Sequence, residues 1–355
     1  MDKLRVAILG ATGVVGQRLV SLLHRHPWFE IGGLYSSERH HGRRYGDVVE
    51  WILEEEIPES MADSRVYRVD PEALSPREYS LVFSALPSEI AQAMEPELAR
   101  KGLIVVSNSS PYRLDSDIPL LVPEVNPDHV SLASLQEKRG WRGRIYKVPN
   151  CTTIILSMTL KPLLDEFGLS RVVVSSMQAV SGAGLRGVPS LRILDNLVPF
   201  IEGEEEKVET ETLKILGAIE GNRVRDPGFR VTASTHRVPV LEGHTLAIFV
   251  ETRKEADPIE VARVMEDFKP SYLGKSLPSA PSRPLKVRRE EDRPQPRLDR
   301  MEGKGMTVVV GRIRKDKALG GVKYVAMGSN TIRGAAGNAV LIAELLVSGL
   351  NSFSA

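Results

Sequence analysis

The chemistry legible in this sequence starts from one thiol. Cys151 is the chain's only cysteine, and it stands in Val-Pro-Asn-Cys-Thr-Thr, where turn-forming residues give way to a helical run over 154–166. A thiol in the first turn of a helix meets unpaired backbone N–H groups and the positive end of the helix dipole, both of which favour the thiolate. A lone cysteine forms no internal disulfide. What is open to it is nucleophilic attack on an electrophilic carbon, against the plainer role of a small buried apolar side chain.

A second constellation lies at the amino terminus. Residues 4–9 (Leu-Arg-Val-Ala-Ile-Leu) form a short apolar run of strand type, followed by Gly10-Ala-Thr-Gly13-Val-Val-Gly16 and an amphipathic helix to about residue 24. Strand, glycine turn and helix make a dinucleotide entrance: the glycines permit a tight turn and bring the backbone close to a pyrophosphate at the helix start. The spacing Gly-x-x-Gly-x-x-Gly is a variant of the commoner Gly-x-Gly-x-x-Gly. A second strand over 30–35 runs into Ser36-Ser37-Glu38-Arg39. Where NAD-binding chains place an acidic residue for the ribose, hydroxyls and a guanidinium stand here, and these suit the 2′-phosphate of NADP. The alternative for Arg39, His40, His41, Arg43 and Arg44 is a solvated basic loop, with Glu38 left to meet the ribose.

The elements that must position these groups read as two domains. Strand-like runs at 81–85, 104–107 and 120–122, with helical stretches between the first two, continue the grammar of a doubly wound parallel sheet, a Rossmann-type α/β fold. Ser84-Ala-Leu86-Pro and Asn108-Ser-Ser110 follow two of these runs and belong at carboxyl ends of strands, on the side of the glycine turn. Beyond Cys151 the grammar changes. Strands are expected over 171–178, 231–234, 245–252 and 306–313 and a helix over 259–268, giving an α+β domain with a mixed, largely antiparallel sheet. Ser181-Gly182-Ala-Gly184 interrupts it, and 277–305 shows no period of either kind, as expected of a functional loop or one packed on a partner. A final glycine turn after Asn330-Thr331 feeds an apolar helix over 339–347.

A formal net charge of +1 argues against a nucleic-acid or membrane-surface partner, and no apolar stretch reaches the roughly 20 residues that span a bilayer. The amino terminus is occupied by the glycine motif and not by a signal peptide, so a cytoplasmic location is expected. One cysteine and seven scattered histidines give no metal-ligand spacing.

Taken in order, Gly10 to Gly16, Ser36 to Arg39, Asn108-Ser-Ser, Pro149-Asn-Cys-Thr-Thr, Gln178 with Ser181-Gly-Ala-Gly, Thr235-His-Arg-Val-Pro and Asn330-Thr-x-Arg-Gly-Ala-Ala-Gly resemble the aspartate-semialdehyde dehydrogenases, most closely their archaeal and fungal branch. The resemblance covers nearly the whole chain. It implies an NADP domain over 1–150, completed by a carboxyl-terminal helix over 331–355, and a catalytic and dimerisation domain over 151–330. The implied reaction is reversible reductive dephosphorylation of aspartyl β-phosphate to aspartate semialdehyde, on the route to lysine, methionine and threonine. Homodimers or homotetramers are expected.

On that reading Cys151 displaces phosphate to give a thioester that hydride reduces, and the helix start supplies donors for the tetrahedral oxyanion. Two histidines, His236 and His244, could exchange the proton. The family pattern sets an arginine seven residues before the catalytic histidine, which selects Arg237 and His244. The others (His24, His26, His40, His41, His129) are expected at surface or satisfied polar positions. The resemblance gives Arg237 the α-carboxylate, Glu211 the α-amino group, Arg113 and Lys214 the phosphate, and Gln178 the acyl group. Glu211 and Lys214 lie three apart on one helical face, in a charge-rich run that would otherwise be solvated. Cofactor contacts are expected from Gly10, Thr12, Gly13, Val14, Val15, Ser36, Ser37, Arg39, Ser84, Leu86, Ser181, Gly182, Asn330 and Thr331. Two other functions share parts of this pattern: an acyl-CoA reductase of the malonyl-CoA reductase type, and a non-catalytic NADP-binding protein, which would need none of Cys151, Gln178, Arg237 and His244.

Overall fold

The computed structural model of the chain describes residues 3–348. A parallel sheet is built from β1 (Leu4–Leu9), β2 (Phe29–Ser36), β3 (Val66–Arg68), β4 (Leu81–Ser84), β5 (Ile104–Ser107) and β6 (Arg144–Lys147), with apolar β1, β4 and β5 at its centre largely buried on both faces and β3 partly exposed at one edge. Their order is β3-β2-β1-β4-β5-β6. The order reverses between β1 and β4, so the carboxyl ends of these two strands open the cleft that doubly wound sheets use for ligands. The helix Val14–Leu23 follows β1 directly through the glycine turn.

One sequence expectation for this sheet is corrected, and one strand went unforeseen. Residues 120–122 are fully buried but form no strand; only Leu120 bridges Lys147. The side chain of Asn126 replaces the ladder there, accepting from the Val122 N–H and donating to the Leu120 carbonyl. The edge strand is instead Arg144–Lys147, whose charged ends disguise it. Lys147 is wholly buried, its ammonium 2.5 Å from Glu95.

The second sheet comprises β7 (Leu169–Gln178), β10 (Arg230–Arg237), β11 (His244–Thr252), β12 (Leu285–Val287), β13 (Val308–Lys315) and β14 (Val322–Gly328), with β8 (Ala218–Glu220) and β9 (Arg223–Arg225) set apart as a hairpin. Its order is β10-β7-β11-β14-β13-β12, parallel at both ends and antiparallel between, the mixed sheet expected. The helices Cys151–Phe167 and Pro258–Glu266 pack on it, and Ile248, Leu246 and Val250 of β11 alternate inward to meet them. The stretch 277–305 is not structureless. It supplies β12, and Asp299 gathers Arg288, Arg293 and the Gln295 N–H around one carboxylate.

From β14 the chain returns to the first sheet. The helix Gly337–Val347, apolar nearly all round, packs on Val14–Leu23, and its buried Glu344 is met by His26 at 2.8 Å. Residues 349–355 of the expected terminal helix lie outside the described residues. Among the described residues no helix is long and apolar enough to cross a membrane, and no cluster of three metal-ligating side chains occurs.

Candidate active site

Cys151 opens its helix, capped by Asn150, whose Oδ1 accepts the N–H groups of Thr152 (2.9 Å) and Thr153 (3.2 Å). Strand polarity brings the partners to it. β7 and β10 run parallel and end at Gln178 and Arg237, while antiparallel β11 begins at His244, so all three residues meet at one edge of the sheet. His236 does not join them. Neighbouring residues of a strand face opposite ways, and its ring lies against the Ser176 carbonyl.

His244 Nε2 is 3.2 Å from Cys151 Sγ. The other ring nitrogen, Nδ1, accepts the Ala179 N–H at 3.1 Å, which leaves the proton of a neutral imidazole on Nε2, pointing at the sulfur. Burial, reinforced by Arg237, lowers the imidazole to about 3. Burial, with the Glu204 charge adding to it, pushes the Cys151 thiol up to about 12, against the pull of the Thr152 N–H, Arg237 and Arg113. The helix start therefore does not by itself produce a thiolate, contrary to the sequence expectation. The resting pair is a thiol beside a neutral imidazole that can donate.

Glu204 organises this region. Its Oε1 accepts from Asn150 Nδ2 and Gln178 Nε2, both at 2.9 Å, so the residues flanking the sulfur on two elements share one buried carboxylate. Arg237 donates to the Ala179 carbonyl at 2.8 Å, and a Cβ on Gly182 would stand 2.7 Å from Arg237 Nη1 and 3.2 Å from His244 Nε2. Gly182 thus closes on Arg237 and His244. Gly334 closes from the opposite side: a Cβ there would meet Cys151 Cβ at 2.6 Å.

The residues expected to hold substrate are already paired with one another. Arg113 donates from Nη1 to Glu211 Oε1 at 3.0 Å and from Nη2 to the Asn108 carbonyl, and Glu211 Oε2 accepts the Asn150 N–H at 2.6 Å. Lys214, expected on the phosphate, spends all three ammonium hydrogens on the carbonyls of Arg113, Asp115 and Ile118, at 2.7 to 2.8 Å. Burial lowers its pKa to about 8. It holds the Arg113 loop.

The dinucleotide side fits its expected occupant. A Cβ on Gly10 would stand 2.4 Å from the Ala85 carbonyl oxygen, and one on Gly16 would stand 2.1 Å from the Gly10 oxygen, so the turn requires both glycines. Gly13 meets only the Gly10 oxygen, at 3.5 Å, and no side chain caps the helix it starts. Val14 is buried, and Val15 lines a cavity of about 300 Å³ with Leu86, Asn108, Arg113, Asn150 and Lys207. Both amide atoms of Asn108 are buried there without a hydrogen-bond partner among the described residues. Past β2, Arg39 Nε donates to His40, whose ring joins Ser36 Oγ and through it Thr12 Oγ1. This chain occupies Ser36, leaving exposed Ser37 and the outer nitrogens of Arg39 facing solvent.

Some expected contacts face inward instead. Ser84 is fully buried and donates to Glu95 at 2.8 Å, because a strand-end residue alternates toward the helix layer as readily as toward the cleft. Asn330 donates to Ser181 Oγ and accepts the Gly243 N–H, while Thr331 bonds Glu242, which Arg18 also meets at 2.9 Å. These side chains tie the returning tail to the loop that presents His244.

Comparison with known proteins agrees with this architecture. Residues 5–133 match the family model for a semialdehyde dehydrogenase NAD binding domain, and residues 160–333 the model for a semialdehyde dehydrogenase dimerisation domain. The chain is 50% identical to an aspartate-semialdehyde dehydrogenase of Archaeoglobus fulgidus, over 96% of its own length and 97% of the relative's. The chain belongs to the aspartate-semialdehyde dehydrogenase family. A crystal structure of the Candida albicans aspartate semialdehyde dehydrogenase with NADP superposes with a TM-score of 0.87 at 37% identity, covering 98% of this chain and 99% of that one. A malonyl-CoA reductase (NADP) of Metallosphaera sedula, 37% identical over 97% of each chain, shows that this family reaches a second acyl chemistry.

Sequence reasoning missed Glu204, Gly334 and Lys207. The run Glu204–Glu206 looks like ordinary acidic residues at a helix start, and nothing local separates the buried one from its exposed neighbours. The cap at Asn150 also came from the structure, although asparagine before a helical run is a local signal.

Proposed function

We propose that this chain is an NADP-dependent aspartate-semialdehyde dehydrogenase, interconverting aspartyl β-phosphate and aspartate semialdehyde through a Cys151 thioester on the route to lysine, methionine and threonine. The observation that carries the reading is the contact of Cys151 with His244 at 3.2 Å, at a sheet edge shared with Gln178 and Arg237 and beside the cavity of Arg113. Residues 1–150 with the returning tail serve the dinucleotide, and 151–330 serve catalysis.

In the oxidative direction the Cys151 thiol gives up its proton to solvent, the sulfur forms a bond to the aldehyde carbon, and the carbonyl electron pair moves onto oxygen. The His244 Nε2–H is aimed to steady that oxyanion, so its job is donation, which a neutral imidazole performs without titrating. Arg237 pairs with the α-carboxylate through its planar fork, and Gln178, held by Glu204, orients the acyl group. NADP held by the Gly10–Gly16 turn with Ser37 and Arg39 would supply the hydride acceptor for the carbon, or the hydride donor in the reductive direction. Phosphate oxygen then bonds to the thioester carbon, the C–S bond breaks, and the sulfur leaves as a thiolate that takes up the proton released by the attacking phosphate.

NADP is favoured by Ser37 and Arg39 where an acidic residue would suit NAD. Assembly of identical chains is supported by apolar side chains left in water around 185–241, with Leu191 95%, Leu241 74% and Phe200 68% exposed. The test is oxidation of aspartate semialdehyde by the purified protein with NADP, followed by reduced-nicotinamide absorbance. Turnover dependent on inorganic phosphate is expected; turnover only with coenzyme A would make it an acyl-CoA reductase, and none with either would overturn both readings.

A further inference from the structure

Arginine can only donate, so a hydrogen bond from it fixes the state of its partner. Past β2, Arg39 Nε donates to His40 Nε2 at 3.1 Å. Nε2 is therefore the bare nitrogen of a neutral ring, and the ring's one hydrogen sits on Nδ1, 3.2 Å from Ser36 Oγ. Ser36 accepts it and gives its own hydrogen to Thr12 Oγ1, 2.7 Å away. Each donor in this series is set by the one before it. The series runs from the guanidinium through two buried side chains to the glycine turn, where the Thr12 hydroxyl hydrogen has no acceptor among the described residues.

The bare nitrogen is kept from protons. Burial, and after it the charges of Arg39 and Arg43 on the same segment, hold His40 below the ordinary histidine value. Among the described residues no carboxylate pairs with the ring. From β3 the nearby cation Arg68 is engaged by Glu38 at 3.7 Å and Asp70 at 3.2 Å, and His41 turns away to Tyr67 and the Arg68 N–H. Only uncharged Ser36 from β2, and Thr12 behind it, reach the ring from other elements. Protonation of His40 would set Nε2–H against Arg39 Nε–H, two donors with no acceptor between them, and the guanidinium would lose its anchor.

That anchor bears on cofactor choice. An arginine loose in water must be ordered before it can grip an anion, which subtracts from affinity. Held at Nε, Arg39 keeps its two outer nitrogens, which can take a phosphate, outside the loop.

We propose that His40 is a specificity-determining positioning residue: as a neutral acceptor it holds Arg39 in the pose that meets the 2′-phosphate of NADP and sets the Ser36 and Thr12 hydroxyls as donors. This rests on the NADP reading above. Affinity for the 2′-phosphorylated dinucleotide then falls in acid by more than the phosphate's own loss of charge near about pH 6 accounts for, because protonation of His40 adds to it.

The experiment is calorimetric titration of NADP and of NAD, both stable in acid, into the unmodified protein, His40→Leu and His40→Gln, at about pH 8 and about pH 5. Glutamine offers an amide oxygen in place of Nε2 and does not titrate. At the higher pH His40→Leu is expected to weaken NADP about fivefold or more and NAD less than about twofold, with His40→Gln recovering most of the NADP loss. On acidification the unmodified protein should lose about twofold or more NADP affinity beyond the loss in His40→Gln, which shares the phosphate's own titration, while NAD changes alike in both. An unchanged NADP constant in His40→Leu overturns the assignment, and so do equal losses with NADP and NAD, the pattern of a merely structural residue. A gain of NADP affinity over His40→Gln on acidification overturns it too, since the imidazolium would then bind the phosphate itself. If the unmodified protein binds the two dinucleotides equally at the higher pH, the NADP reading fails first and the proposal falls with it.

Discussion

His244 Nε2 stands 3.2 Å from Cys151 Sγ while the opposite nitrogen of the same ring accepts the Ala179 N–H, so the imidazole faces the sulfur as a donor. Ninety-three positions separate the two residues in the chain. Cys151→Ala should reduce turnover by at least about 10⁴-fold, since no other thiol exists to form the thioester, while NADP binding by fluorescence titration stays within about twofold. Retained activity would exclude covalent catalysis.

If donation is the task of His244, an amide that also donates should replace it in part. His244→Ala is expected to lower kcat by roughly 10²- to 10⁴-fold, and His244→Gln by clearly less. With the imidazole lowered to about 3, the pH profile of kcat should lack an inflection from His244 between about pH 5 and 8, where a free histidine would titrate. A near-neutral inflection that disappears in His244→Gln would make it a base after all. His236→Ala should leave both the rate and the profile intact.

Acid stability should carry the same signature. His244 takes up a proton near 6.5 when unfolded but only near 3 when folded. Between these values the unfolded state binds more protons, so stability falls as pH drops from 6.5 toward 3, and His129, also lowered by burial, acts in the same direction. From pH 7 to 5 the His244 contribution is about 2 kcal/mol. Urea unfolding at the two pH values should show it, with a shallower loss in His244→Gln.

Arg237 is 7% exposed, so if it pairs with the substrate carboxylate as proposed, little water can replace it there. Removing it should cost about 2 to 5 kcal/mol of substrate binding, seen as a raised KM for aspartate semialdehyde, and Arg237→Lys should recover little because an ammonium lacks the planar fork. A full rescue by lysine would reduce its role to net charge.

Arg39 donates from Nε to His40, and its exposed outer nitrogens have no hydrogen-bond partner among the described residues. Arg39→Ala should therefore raise KM for NADPH about tenfold or more and leave KM for NADH nearly unchanged. Equal losses with both cofactors would mean that Arg39 supports the loop and does not read the 2′-phosphate.

What the residues determined alone is local. The apolar run, the glycine turn and the helix after it specify β1 and its entrance, because periodicity and glycine sterics act over a few neighbours, and Asn150 before a helical run specifies the start that presents Cys151. The change from parallel to mixed sheet was legible for the same reason, since strand spacing and helix alternation are short-range patterns. Strand β6 escaped because its buried Lys147 is neutralised by Glu95, 52 positions away, and 120–122 misled because Asn126 satisfies its backbone without a ladder. The same limit governs the site. Residue types marked Cys151, His244, Arg237 and Gln178 as able to do chemistry, but only the register of β7, β10 and β11 brings them to one edge. Only the folded carbonyls of Arg113, Asp115 and Ile118 exhaust Lys214, while Lys207 two turns earlier has no hydrogen bond or ion pair among the described residues, because a donor's availability depends on every acceptor within 3 Å, and the Lys214 acceptors lie about a hundred residues away in sequence.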